Sequence, residues 1–169
     1  MPTSLADQLA HYRAHPPSAL AAVRAEATEL SGVRFDGHGE PLNPVFAIAC
    51  TCGSRELALW GWVRDEEIGP PLAVACDACG ADLDLFDPSL HGYDAVASGD
   101  DEEDEDDESY PDEFPDAEPP YELFVRFEYA PSDFDDPRWA GRQSDLFSWI
   151  TVVAKTKNGL VQLFDWECA

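Results

Sequence analysis

The apolar positions of this chain change period early in the sequence. Up to residue 31 they recur at helical steps. Ser4 with Asp7 has the form of a capping box, and Leu5, Leu9 and Tyr12 follow at helical spacing. Pro16-Pro17 disfavours helical geometry at His15 and interrupts the pattern. Ser18 then reads as the cap of a second helix, with Leu20, Val23, Ala27 and Leu30 as its buried stripe and Gly32 as its stop. From Val45 onward the pattern is that of strands. Val45–Ala49 is the first. Residues 56–63 follow, with Leu57, Leu59 and Val63 on one face and Ala58, Trp60 and Trp62 on the other. Both faces are apolar, which predicts a strand covered on both sides.

Residues 71–75 and 81–86 read as two more strands. Further on, Tyr121, Leu123, Val125, Phe127 and Tyr129 alternate with mostly polar neighbours, the signature of a half-buried strand. Residues 131–143 form a polar loop. The apolar runs 146–157 and 160–166 then meet across Asn158-Gly159, a strong short hairpin signal. Residues 72–87, laid without gaps on 150–165, share Val74, Leu85, Phe86 and Asp87 with Val152, Leu163, Phe164 and Asp165, a faint internal echo. The expected class is α+β. An N-terminal helical segment (1–32) precedes antiparallel hairpins (33–98), an acidic linker (99–120) and a second β-rich part (121–169).

Charge sets the linker apart. The chain of 169 residues carries 35 acids against 10 bases, a formal net charge of −25 and a sequence pI near 4.1. With 44% apolar and 11% aromatic residues it can nevertheless bury a real core. Residues 100–118 hold 13 acids and no base, so self-repulsion and missing apolar surface predict a flexible spacer. Such a molecule repels nucleic acid and anionic membrane surfaces and attracts cations or basic proteins. No stretch is long and apolar enough for a membrane span, and the N-terminus lacks the form of a signal peptide. A reducing, cytoplasmic location is the expectation.

Cysteine chemistry changes the picture of the middle of the chain. Four of the five cysteines form two tight pairs, Cys50-Thr51-Cys52-Gly53 and Cys76-Asp77-Ala78-Cys79-Gly80, each followed by a glycine. In a reducing compartment such pairs read as metal ligands. Four thiolates suit the tetrahedral preference of Zn²⁺ and leave no open coordination position, so the ion is structural. Iron, which also takes tetrahedral sulfur, is the alternative metal. His91 is an alternative ligand in place of one cysteine, and Cys168 is expected to pack beside the last strand.

The two pairs and their 23 intervening residues resemble the zinc-ribbon superfamily over residues 45–87. The resemblance implies Cys50, Cys52, Cys76 and Cys79 as ligands. The first pair departs from the usual ribbon by having one spacer residue where two are common.

Catalytic constellations are nearly absent. There is no phosphate-cradling glycine loop and no Gly-x-Ser-x-Gly elbow. Asp36-Gly37-His38-Gly39-Glu40 has suitable residue types but reads as a turn, and Asp133-Phe134-Asp135-Asp136 lacks the spacing of a calcium loop. Many zinc ribbons bind nucleic acid or organise larger machines, so an accessory role in a nucleic-acid or transcription assembly is one expectation. Arg55 and Arg64 are the only bases in 45–87, which argues against direct contact with phosphates. The favoured expectation is a non-enzymatic protein that binds a basic partner, in the manner of an immunity or antitoxin-like protein. Asp101, Glu102, Glu103, Asp104, Glu105, Asp106, Asp107 and Glu108 are its candidate partner contacts.

Overall fold

The computed structural model describes residues 2–31, 40–98 and 108–168. Helix α1 (Leu5–Ala14) is capped by Ser4, whose hydroxyl oxygen accepts the Asp7 N–H at 3.2 Å. The helix turns Gln8 and Tyr12 inward and leaves Leu5 exposed. Tyr12 stacks on Tyr129 with ring centroids 3.8 Å apart, and this contact seats the helix.

The expected second helix is absent. After Pro16-Pro17 a single 3₁₀ turn at Ser18–Leu20 leads into strand β1 (Arg24–Thr28). Leu20 and Val23 are buried, as the helical stripe required, but Ala27 is exposed. The alternation Arg24, Ala25, Glu26, Ala27 fits the pleat equally well, and antiparallel pairing with β2 (Val45–Ala49) decides between the two periods.

Eight further strands follow β1 among the described residues: β2, β3 (Leu57–Arg64), β4 (Glu67–Cys76), β5 (Asp82–Phe86), β6 (Tyr110–Glu113), β7 (Glu122–Glu128), β8 (Trp149–Thr156) and β9 (Gly159–Glu167). They build two antiparallel sheets, ordered β1-β2-β7-β8-β9 and β5-β4-β3-β6. Short helices α2 (Tyr93–Ser98) and α3 (Pro131–Phe134) sit in the connections. One buried cluster joins the sheets. It takes Phe46, Val125 and Val152 from the five-stranded sheet and Leu57, Leu59 and Val74 from the four-stranded one. Phe164 of β9 stands 6.1 Å from both Phe86 and Phe114, ring to ring, which ties the layers together.

One expectation about the middle of the chain is corrected. Residues 108–118 are not a spacer throughout: β6 pairs with β3, and Phe114 just after it is 2% exposed and donates its N–H to the Leu59 carbonyl. One buried phenyl ring outweighs the acids around it, which stay at the surface: Glu108, Asp112, Asp116 and Glu118 are exposed and Glu113 is half-buried. The β-rich parts on either side share one sheet, because β2 pairs directly with β7. Residues 99–107 lie outside the described residues.

Strand β3 also differs from its reading. Leu57 and Leu59 face the core, while on the opposite face Ala58 is buried but Trp60 and Trp62 are only half-buried, so that face is covered in part. The β3–β4 hairpin turns on Asp65-Glu66, both at positive φ, with Arg64 and Glu67 paired across it. That is the backbone of a type I′ turn made without glycine. At the C-terminus the connection is Lys157-Asn158, one residue before the expected dipeptide, with Thr156 and Gly159 paired.

Candidate metal centre

Strand β2 ends at Ala49, and Cys50 is the next residue. From there the chain crosses from the five-stranded to the four-stranded sheet, so the first cysteine pair occupies the corner between the layers. The second pair lies in the turn between β4 and β5, with Cys76 as the last residue of β4. Both loops close in the same way. The Cys50 N–H donates to the Ser54 carbonyl and the Cys76 N–H to the Ala81 carbonyl, each at 2.9 Å. Inside them, Gly53 donates to the Cys50 carbonyl at 2.8 Å and Gly80 to that of Cys76 at 2.9 Å. Gly53 has φ +94 and Gly80 φ +74, a region that favours glycine, which explains the residue after each pair. The shorter first spacer is absorbed by a tighter turn.

The four sulfurs converge. Cys50 Sγ lies 3.6 Å from Cys79 Sγ and Cys52 Sγ lies 3.7 Å from Cys76 Sγ, and all four sulfurs are within 4.8 Å of one another. A Zn–S bond of about 2.3 Å in a tetrahedron gives an S–S edge of about 3.8 Å, which these two distances match. Each pair supplies one buried sulfur residue, Cys50 and Cys76, and one exposed, Cys52 and Cys79. These close contacts run across the pairs, one cysteine from each loop, and bring the two loops together at the corner between the sheets.

Proton sharing among the thiols favours a cation. The backbone N–H of Cys52 holds the Cys50 thiol down to about 6, assisted by its sulfur neighbours. Cys79 accepts the Ala81 N–H, which works in the same direction, but proton sharing with Cys50 and Cys76 pushes it up to about 12. A divalent ion displaces the remaining protons and is bound more tightly as pH rises.

The other candidates stand apart from this cluster. His91 Nδ1 accepts the Asp87 N–H at 3.0 Å and closes the turn after β5, which makes it a structural residue there. Burial lowers its pKa against the pull of Asp87 and Asp145. Cys168 follows β9, is 5% exposed and donates its N–H to the Ser148 carbonyl; burial pushes its thiol up to about 12. Asp135 accepts two hydrogen bonds from Thr3 and Asp136 pairs with Arg138, so neither is gathered into a cation site. Residues 36–39 and the partner candidates 101–107 fall outside the described residues; Glu108 is exposed.

Three features escaped the sequence. Tyr121 braces the corner, accepting the Leu59 N–H on its hydroxyl at 2.8 Å and exchanging two backbone hydrogen bonds with Leu57 at 3.0 Å. Arg126 and Glu128, both buried, pair at 3.5 Å on the outer face of the five-stranded sheet, and Arg126 donates to Asn43 at 2.7 Å. Strand alternation places both on that face, but nothing in the sequence marks the face as covered. The third is a cavity of about 190 Å³ behind Cys76, lined by residues that include Trp60, Asp77 and Glu113. Among the described residues, no helix is long and apolar enough to cross a membrane. No protein-family model, no curated protein and no solved structure matches this chain.

Proposed function

We propose that this is a non-enzymatic interaction protein, stapled by a structural zinc ion, that captures and neutralises a basic protein in the cytoplasm, as an immunity or antitoxin-like protein does. The observation that carries the reading is a net charge of −25 on a chain whose one convergent metal-ligand set, among the described residues, is four sulfurs. A Cys₄ shell leaves no coordination position for water or substrate, so the ion holds structure and performs no chemistry. Reduced thiols persist in a reducing compartment, which favours the cytoplasm. The acids accelerate encounter with a cationic partner and a folded face supplies specificity.

Immobilised protein, presented to host lysate at low and at high salt, tests this reading. The captured partner is basic and elutes with salt. Removing residues 100–108 slows its association while the dissociation rate stays within about twofold. Capture of neutral or acidic proteins alone, or association indifferent to salt, overturns the reading.

A further inference from the structure

We propose that the basic partner docks on the outer face of the four-stranded sheet and places one Lys or Arg side chain in the cavity beside Trp60. The inference rests on the basic-partner reading above and deepens it.

The face is defined by register. Leu57 and Leu59 are 0% exposed in the core, so Ala58, Trp60 and Trp62 of β3 point the other way. Pairing sets Ala73 and Ala75 of β4 beside Trp60 and Ala58, and Pro111 and Glu113 of β6 beside Trp62 and Trp60. Two half-buried indoles thus stand on a floor of alanine and proline. A partly exposed aromatic pair at the centre of a sheet face is the composition of an interface core, because Trp brings large contact area with few rotamers to freeze.

The rim supplies the sign of the partner. Asp82 and Asp84 of β5 pair with Ala75 and Ala73 and so share this face, and Glu113 flanks Trp60 on the other side. The four strands carry a single base, Arg64, at the far end of β3. The nine consecutive acids at 100–108 run almost directly into β6, so the densest charge in the sequence is tethered to this edge. An apolar centre with an anionic rim complements a basic surface and repels phosphate.

The cavity narrows the occupant further. At about 190 Å³ it is smaller than the roughly 300–1,000 Å³ typical of small-molecule sites and fits one side chain. Trp60 forms one wall and Asp77 and Glu113 supply its acids, while Ala58, Ala75, Pro119 and Pro120 are among its apolar lining and Cys76 borders it. An indole face attracts a cation, two carboxylates pair with an ammonium or guanidinium, and the apolar remainder accepts the methylene stem. No other amino-acid side chain matches all three.

The test uses the zinc-loaded full chain, a tetra-arginine peptide and its uncharged tetra-citrulline counterpart. Binding is followed by calorimetry and by the indole N–H signals in a ¹H–¹⁵N spectrum, that of Trp60 being assigned with Trp60→Phe. Tetra-arginine is expected to move the Trp60 signal saturably and tetra-citrulline to leave it in place. Asp77→Asn with Glu113→Gln is expected to weaken tetra-arginine about tenfold, with metal content and melting temperature unchanged. Glu113→Gln alone, remote from the ligand loop, is expected to weaken it about threefold. Deleting residues 100–108 lowers the overall affinity but preserves the Trp60 shift.

Several results overturn the proposal. Heat of binding with a stationary Trp60 signal moves the contact elsewhere and leaves the basic-partner reading standing. Equal shifts with tetra-citrulline remove the cation from recognition. A Trp60 shift that depends on protein concentration alone makes the face a contact between two copies. No binding of either kind at low salt removes both this inference and the reading beneath it.

Discussion

Replacing Cys50 by serine removes one of four sulfurs at the corner between the sheets, and its cost follows from linkage. Apparent zinc affinities of structural sites correspond to about 10–16 kcal/mol, against a net domain stability of about 5–15 kcal/mol. Only the excess of metal over its dissociation constant stabilises the fold. With free metal at about a thousand times Kd, bound metal contributes about 4 kcal/mol. At about 2–4 °C per kcal/mol for a chain of this size, losing it lowers Tm by about 8–16 °C. Cys50 is 0% exposed, so the serine hydroxyl adds a further burial cost of about 1–3 kcal/mol. Cys52 is exposed, and Cys52→Ser is expected to lose the metal contribution alone.

Calorimetry with and without a chelator, beside elemental analysis, measures this. The chelator is expected to lower the wild-type Tm by the amount given and to leave Cys50→Ser unchanged. Cys168→Ser, altering a buried cysteine outside the cluster, is expected to keep both its metal and the chelator response. A wild-type Tm that moves by less than about 2 °C on chelation refutes the reasoning. So does a Cys50→Ser protein with a full metal equivalent and wild-type melting.

Tyr121→Phe leaves the buried Leu59 N–H without its acceptor and is expected to cost about 1–3 kcal/mol, read as a fall of several degrees in Tm with metal retained. Gly61→Ala brings a Cβ to 2.6 Å from the Gly69 carbonyl oxygen and 3.0 Å from Phe114, and denaturant unfolding is expected to show a loss of about 1–3 kcal/mol. His91→Asn keeps an acceptor for the Asp87 N–H without a titrating ring. Burial lowers the folded-state pKa of His91 below its ordinary 6.5, so the unfolded chain protonates first and stability is lost as pH falls below about 6.5. Above that value His91 contributes no pH dependence. The wild type is therefore expected to lose stability relative to His91→Asn between pH 6.5 and 5, and parallel curves would contradict the burial of the ring.

What the sequence disclosed is what local chemistry decides. Paired cysteines with trailing glycines announced the ligand loops, because chelation and positive φ are requirements within a few residues. The strands at Val45–Ala49 and Glu122–Glu128 were visible in their periodicity, and Ser4 marked the start of the helix. What failed were choices made by distant partners. Residues 24–28 satisfy two periods, and only the edge of β2 selects the strand. Phe114 rescues part of an acidic tract by a contact with Leu59, which lies on the distant strand β3. The faint echo shows both cases at once. Leu85-Phe86 and Leu163-Phe164 each sit at a register shift in their hairpins and bury successive side chains, which is the work of a bulge. Phe86 pairs with Leu72 and Phe164 with Val152, so the gap-free alignment is two residues out on the opposing strands.

Salt separates the fold from the interaction because the two respond with opposite sign. A net charge of −25 repels itself in the compact state more than in the expanded chain, so screening should stabilise the fold. The Debye length shrinks from about 30 Å at 0.01 M to about 10 Å at 0.1 M, a range that spans the whole molecule, and most of the relief falls within it. The described salt bridges offset this little: Arg13–Glu29 and Arg55–Glu26 are exposed and spaced at 3.7 and 3.4 Å. Tm is therefore expected to rise by several degrees over that range, while attraction to a basic partner weakens. An affinity that falls with salt cannot then be ascribed to unfolding. A melting temperature that drops with salt would mean that attractive pairs outweigh the excess of acids, and it would withdraw the charge argument from fold and partner alike.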